Sequence, residues 1–148
     1  MHKEDNVYLK MRNYNVDHIN FKMNNNFNFS QEMIEIVPEF GRKIKQLDEN
    51  LFEVSLKIVV PENNVPFYLD IQIDGYFEIS KKITTIERKI LIEDNTVAIL
   101  FPFLRSIVAS VTSTGSLPPY VLPVMNIAEM FKLDKKQDWI INYQSCFY

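Results

Sequence analysis

Three glycines, Gly41, Gly75 and Gly115, are all that a chain of 148 residues contains, and no two stand close enough to build a phosphate-cradling loop of the P-loop or dinucleotide type. Nucleotide binding through those motifs is excluded. A single cysteine, Cys146, makes no intramolecular disulfide and has no neighbouring cysteine with which to hold a metal. Nothing therefore ties the chain to an oxidising compartment, and a cytoplasmic location is expected. No uninterrupted apolar run reaches about 18 residues. Residues Met1 to Lys10 carry neither an apolar segment nor a small-residue cleavage site. Neither secretion nor membrane insertion is expected. Clustered positive charge is missing too: the formal net charge is -3 and the lysines and arginines are scattered, which argues against nucleic acid as a partner.

Apolar residues, by contrast, make up 47% of the chain, enough to bury a sizeable core in one domain over residues 1–148 without metals or disulfides. Residues 1–6 read as a frayed terminus and 134–148 as an unusually apolar tail. Eleven Phe and seven Tyr exceed what a core of this size needs, and surplus aromatics mark interfaces.

Periodicity gives the elements. Phe52, Val54, Leu56 and Ile58 alternate with Glu53, Ser55 and Lys57, the mark of a half-buried strand. The same period recurs at Phe67, Leu69, Ile71 and Ile73 against Tyr68, Asp70, Gln72 and Asp74, with Pro61-Glu62-Asn63-Asn64 as the turn of a hairpin. Upstream, Met33 to Leu47 reads as a strand that Pro38 confines to an edge or breaks. Before the loop Asn24-Asn25-Asn26, Val16, Ile19 and Phe21 indicate a first strand, so four strands in sequence predict an antiparallel meander. Beyond Ile79 the period turns helical. Ile99, Leu100, Phe103, Leu104, Ile107, Val108 and Val111 share one face, which predicts a long helix with Pro102 in its first turn and Gly115 at its stop. Leu117-Pro118-Pro119-Tyr120-Val121-Leu122-Pro123 must run extended. A short helix follows from Asn126 through Ile127, Met130 and Phe131, ahead of a polar patch at Asp134 to Asp138. The predicted class is α+β, with both helices on one face of the sheet.

Residues that could carry chemistry are few. His2 lies near the start of the chain, and His18 sits in a strand without a Cys or Glu pair, so neither reads as a metal ligand. No serine stands in a nucleophile-elbow pattern. Asp70 and Asp74 share the polar face of one strand and could divide acid and base roles, although a solvated face accounts for them at less cost. Cys146 has no cationic neighbour to lower its pKa. No catalytic residue, metal or cofactor is expected, and the chain does not read as an enzyme. The distinctive feature is the apolar, proline-stiffened segment Leu117 to Leu122 followed by Ile127, Met130 and Phe131. Stiffening reduces the entropy lost on binding, and Met and aromatic surface accommodates varied apolar partners.

Ile99-Leu100-Phe101-Pro102-Phe103 and Arg105, then Ser113, Gly115, Pro118, Leu122, Asn126 and Phe131, resemble the helix-and-loop signature of the SecB export chaperones, without a gap from Ile99 to Phe131. Weaker similarity runs upstream through Ile19 and Phe21, Glu53-Val54, and Gly75 with Phe77. The resemblance implies a four-stranded antiparallel sheet and a long helix, assembled as a homotetramer, a dimer of dimers with helices sandwiched between sheets. It implies ATP-independent capture of unfolded secretory precursors, kept translocation-competent for delivery to the SecA motor. It further implies that clients lie in apolar grooves, to which the matching Tyr76, Phe77, Leu117, Pro118, Tyr120, Leu122, Ile127, Met130 and Phe131 contribute.

Two departures from the family stand out. SecB proteins dock a basic zinc element of SecA on an acidic sheet face. Asp70 matches one acidic position, but His18 and Lys22 stand where acids are expected, and positive charge repels a basic partner. Asp17 and Asp74 are placed to compensate. Family tails are usually polar and disordered, whereas Trp139, Ile140, Ile141, Tyr143, Phe147 and Tyr148 can pack or occupy a groove. Such a pattern also suits a SecB-like chaperone dedicated to one client, such as the antitoxin of a toxin–antitoxin pair. A reading from another class is a carrier of small apolar ligands.

Overall fold

The computed structural model describes residues 8–30 and 34–133, together with the backbone of 141–142 and 145–147. The expected frayed terminus, His2, Trp139, Ile140, Tyr143 and Tyr148 lie outside the described residues.

The strands are β1 (Leu9–Met23), β2 (Ile34–Ile36), β3 (Glu39–Asp48), β4 (Leu51–Val60) and β5 (Phe67–Ile79). β3, β4 and β5 form the predicted meander. β1 does not lie beside β3 but crosses over to pair antiparallel with β5, so the order is β1-β5-β4-β3, extended at the β3 edge by the short β6 (Ile141–Asn142). The antiparallel four-stranded sheet is as expected, but it is a three-stranded meander plus a crossover strand. Apolar matching accounts for the placement: Met11, Val16, Ile19, Phe21 and Met23 stand opposite Phe77, Ile73, Ile71, Leu69 and Phe67. Two irregularities in register, between Met11 and Asn13 and between Val16 and His18, explain why the first strand lacks a clean alternation. Each extra residue switches the parity with which apolar residues face the helix. The stretch read as one strand from Met33 to Leu47 is broken into β2 and β3 at Val37-Pro38, because proline has no N–H to offer a ladder.

One continuous helix of 28 residues covers Thr85–Thr112. It comprises α1 (Thr85–Ile90), a wider π turn (Leu91–Asn95) and α2 (Thr96–Thr112). It therefore starts well before the predicted position. The missed start signal is a capping box: Glu87 N–H donates to Thr84 Oγ1 and Thr84 N–H donates to Glu87 Oε2, each at 3.2 Å. Pro102 consequently lies inside the helix rather than in its first turn. Both Pro102 and Ala98, whose carbonyl loses its partner, are exposed, so water can satisfy that carbonyl. Nor does Gly115 act as a left-handed stop, since no glycine has positive φ among the described residues. Instead a Cβ at Gly115 would lie 2.8 Å from Met23 Sδ, so a side chain there would require the methionine to move.

By length and composition this helix is apolar enough to cross a membrane, with a mean hydropathy of 1.4 in its most apolar part. In the fold its inner stripe, Val97, Leu100, Leu104 and Val108, is fully buried, and α2 packs on β4 and β5. Helix and sheet approach tightly at Gly75 in β5, where a Cβ would lie 2.7 Å from Leu100 Cδ2 and 2.8 Å from Phe77 Cε2. The short helix α3 (Ile127–Leu133) packs beside α2 and the π turn. We expect Gly75→Ala to destabilise the fold by about 1–3 kcal/mol through overpacking of Leu100 and Phe77, read as a lower midpoint in denaturant unfolding.

Candidate functional site

The extended segment between α2 and α3 is held from both ends. Thr112 Oγ1 donates to the Val108 carbonyl at 2.8 Å and accepts the Tyr120 N–H at 2.8 Å, while Arg105 Nε donates to the Leu122 carbonyl at 2.7 Å. Extended backbone sends successive side chains to opposite sides. Tyr120 and Leu122 enter the core, the former with its ring 5.8 Å from that of Phe67, and Pro118, Pro119, Val121 and Val124 face outward. Val121 is 52% and Val124 86% exposed, a large apolar exposure for a loop so firmly tethered. A cleft of about 350 Å³ opens beside them, lined by Ala98, Phe101, Pro102, Arg105, Val124, Met125, Asn126 and Ile127. A second, of about 500 Å³, lies at the start of the long helix against Tyr8, Ile83, Ile90 and Leu91.

Helix α3 is fixed by charge as well as apolar packing. The Arg42 guanidinium stands 4.8 Å from the centre of the Phe131 ring and donates to the Glu93 carbonyl in the π turn at 2.8 Å. Lys132 Nζ lies 2.8 Å from Asp94 Oδ2.

The groove residues named from sequence thus separate. Tyr120, Leu122, Ile127, Phe131 and Phe77 are buried within this chain and act as its anchors. Leu117 and Met130 are partly buried and Pro118 is exposed. Tyr76 and Phe77 point to opposite faces of β5, so they cannot line one groove. Sequence reasoning missed Val121, which an in-out count through Tyr120 and Leu122 would have found, and Val124, which such a count places inward because the alternation breaks at the half-buried Pro123.

The second group of named residues does come together on the other face of the sheet. His18 Nε2 lies 2.7 Å from Asp70 Oδ1 and His18 Nδ1 lies 2.7 Å from Asp17 Oδ2. Lys57 Nζ is 3.9 Å from Asp70, and Lys22 Nζ is 3.9 Å from Glu62. Both imidazole nitrogens can donate only when the ring is cationic. The hydrogen bond with Asp70, then that with Asp17, accordingly raises the His18 pKa above its ordinary 6.5, with burial opposing. Tyr68 is raised as well, first by burial and then by the Asp70 charge. Asp74 accepts from Gln72 Nε2 at 3.0 Å. Four residues of strand separate it from Asp70 by roughly 13 Å, too far for the two carboxylates to share a proton. Among the described residues no group of His, Cys, Asp and Glu could hold a metal ion.

A sheet with one long helix on one face, a tethered extended loop and a short second helix is a SecB-like α+β architecture. The fold matches the SecB-like chaperone of Mycobacterium tuberculosis, solved in complex with an antitoxin peptide, with a TM-score of 0.64 over 80% of this chain and 91% of that one at 17% identity. The family model for "Preprotein translocase subunit SecB" matches residues 3–138, and the chain belongs to the SecB family. Relatives include an uncharacterized protein of Methanocaldococcus jannaschii, 32% identical over 82% of this chain and 81% of its own length. The protein-export protein SecB of Anaplasma phagocytophilum is 31% identical over 75% and 72%. The family consists of chaperones, which agrees with a role other than catalysis.

For the His18 cluster we expect Asp70→Asn to move the imidazole midpoint back toward 6.5, followed by NMR titration. A raised folded pKa stabilises fully below the unfolded value and loses its effect as pH rises through the folded one. The parent should therefore exceed the variant in stability below pH 6.5, by at most about 1 kcal/mol for so exposed a pair, and the gap should close in alkali.

Proposed function

We propose that the chain is a cytoplasmic, ATP-independent chaperone that holds unfolded polypeptides on apolar surface. The observation that carries this reading is the outward row of Pro118, Pro119, Val121 and Val124, rigidly mounted through Tyr120 and Leu122 beside an apolar cleft. A stiff apolar surface loses little entropy when a client settles on it, and without directional polar groups it has little sequence preference. The same surface serves a broad set of secretory precursors or one dedicated client. Against the first stands the outer sheet face, where His18, Lys22 and Lys57 lie among the acids and reduce its attraction for a basic zinc element of SecA. A small apolar ligand in the cleft is the reading from another class. One small molecule bound per chain, with no affinity for unfolded polypeptide, would establish it.

Assembly as a dimer of dimers has its own support. Val16 and Ile19 face the helix side of the sheet yet remain 43% and 44% exposed, because the helix lies over β4 and β5 and leaves β1 open. Ile99, and in part Phe103 and Ile107, extend this apolar area along the outer side of α2. A second copy burying that surface is the expected remedy.

Val124→Asp should leave unfolding and subunit number unchanged while weakening binding of a chemically unfolded precursor ten-fold or more, by titration. Leu122→Asp, with its carboxylate forced into the core, should instead fail to fold. Undiminished binding by Val124→Asp would remove this loop from the client site. Light scattering should give a tetramer for the parent and a smaller species for Ile19→Lys; a parent monomer would sink the assembly.

A further inference from the structure

Pro102 lies inside α2, where a proline has two local effects. It offers no N–H to the carbonyl of Ala98, four residues before it, and its ring crowds that carbonyl out of line with the helix axis. Both effects weaken a helix. Here Ala98 and Pro102 are exposed, and both line the cleft of about 350 Å³. A bare backbone acceptor therefore belongs to the wall of that cleft.

Arg105 supplies the opposite group. It follows Pro102 by three residues and Ala98 by seven, so it falls on the same stripe of the helix, and it lines the same cleft. Its Nε is committed to the Leu122 carbonyl, but its two terminal amino groups have no hydrogen bond or ion pair among the described residues. Of the residues that line the cleft, Arg105 alone is charged, and Phe101, Val124 and Ile127 make much of the remaining wall apolar. A donor, an acceptor and an apolar hollow match one residue of extended polypeptide: its carbonyl, its N–H and its side chain. The donor is cationic, which strengthens a hydrogen bond to a carbonyl.

We propose that the Ala98 carbonyl freed by Pro102 and the terminal amino groups of Arg105 grip the main chain of an unfolded polypeptide in this cleft, the first accepting a backbone N–H and the second donating to a backbone carbonyl. The proposal rests on the polypeptide-holding reading above and adds the atoms that hold the client. Neither group reads a side chain, so sequence preference stays low. Folded proteins have already paired nearly all their buried main-chain groups, so a site that demands unpaired ones selects unfolded chains. The proline inside the helix gains a role: it keeps unpaired an acceptor that a regular helix would use itself.

N-methylation removes one backbone N–H at a time, which makes the grip testable in the full chain. The probes are an acetylated, amidated apolar peptide and its singly N-methylated versions, each titrated into the parent and into Pro102→Ala. That variant regains the N–H that closes the helix bond to Ala98, and it should unfold at a midpoint no lower than the parent's. In the parent, methylation at the position seated on Ala98 should weaken binding about five-fold, the worth of one hydrogen bond. Pro102→Ala should bind the unmethylated peptide more weakly by a similar factor, and methylation at that position should then cost nothing further. Loss of the ring's apolar contact alone would weaken all the peptides equally and leave the methylation penalty intact, and that result would overturn the proposal. Absence of any methylation-sensitive position in the parent would overturn it as well, as would a parent that holds a chemically unfolded precursor but none of the peptides. Should the parent bind neither peptide nor precursor, it is the chaperone reading that falls.

Discussion

Leu100 packs over Gly75, and the seat of the long helix on β5 depends on that close contact. A side chain at position 75 would force Leu100 and Phe77 to shift; without one, the helix lies over β5 and β4 with its inner stripe buried completely. This placement has a cost at the sheet's margin. A single helix is too narrow to cover four strands, so among the described residues Val16 and Ile19 of β1 stay exposed on its helix-facing side. The exposed apolar surface on β1 is thus a geometric consequence of where the helix is seated.

The loop that follows α2 inherits its position from the same seat. Thr112 at the last turn and Arg105 one face around capture the backbone of residues 120 and 122, so two buried side chains fix the orientation of the exposed ones between and beyond them. In the reading proposed above, folding and binding fall on different residues of one strand-like segment. Substituting an inward residue tests stability, and substituting an outward one tests affinity. Treating Leu117 to Phe131 as one apolar wall merges buried anchors with exposed residues.

How much was legible in the sequence follows from which interactions are local. β4 and β5 were clear because each buries one face and alternates without interruption. The place of β1 beside β5 was hidden, since the local pattern records which residues face inward but not which neighbour they meet, and two bulges obscured even that. The helix start was written in Thr84 and Glu87, but Ile86 and Ile90 are exposed, so the segment lacks the apolar stripe by which helices are recognised. His18, Lys22 and Asp70 were gathered by family resemblance; the sequence alone does not tell that His18 bridges two carboxylates, because that depends on a register shift between Val16 and His18.

The two edges of the sheet complete the logic. β1 presents a long outer edge, but Lys10, Arg12, Asp17 and Lys22 are exposed along it and two bulges distort it, devices that oppose indiscriminate strand addition. The opposite edge is uncharged by lysine or arginine between Ile34 and Phe40, and there the chain supplies a strand of its own. A protein that handles unfolded chains is surrounded by extended apolar segments seeking an edge. Both edges therefore carry a device against such segments: charge and bulges along β1, and short paired strands of the chain's own at Ile34–Ile36 and Glu39–Phe40.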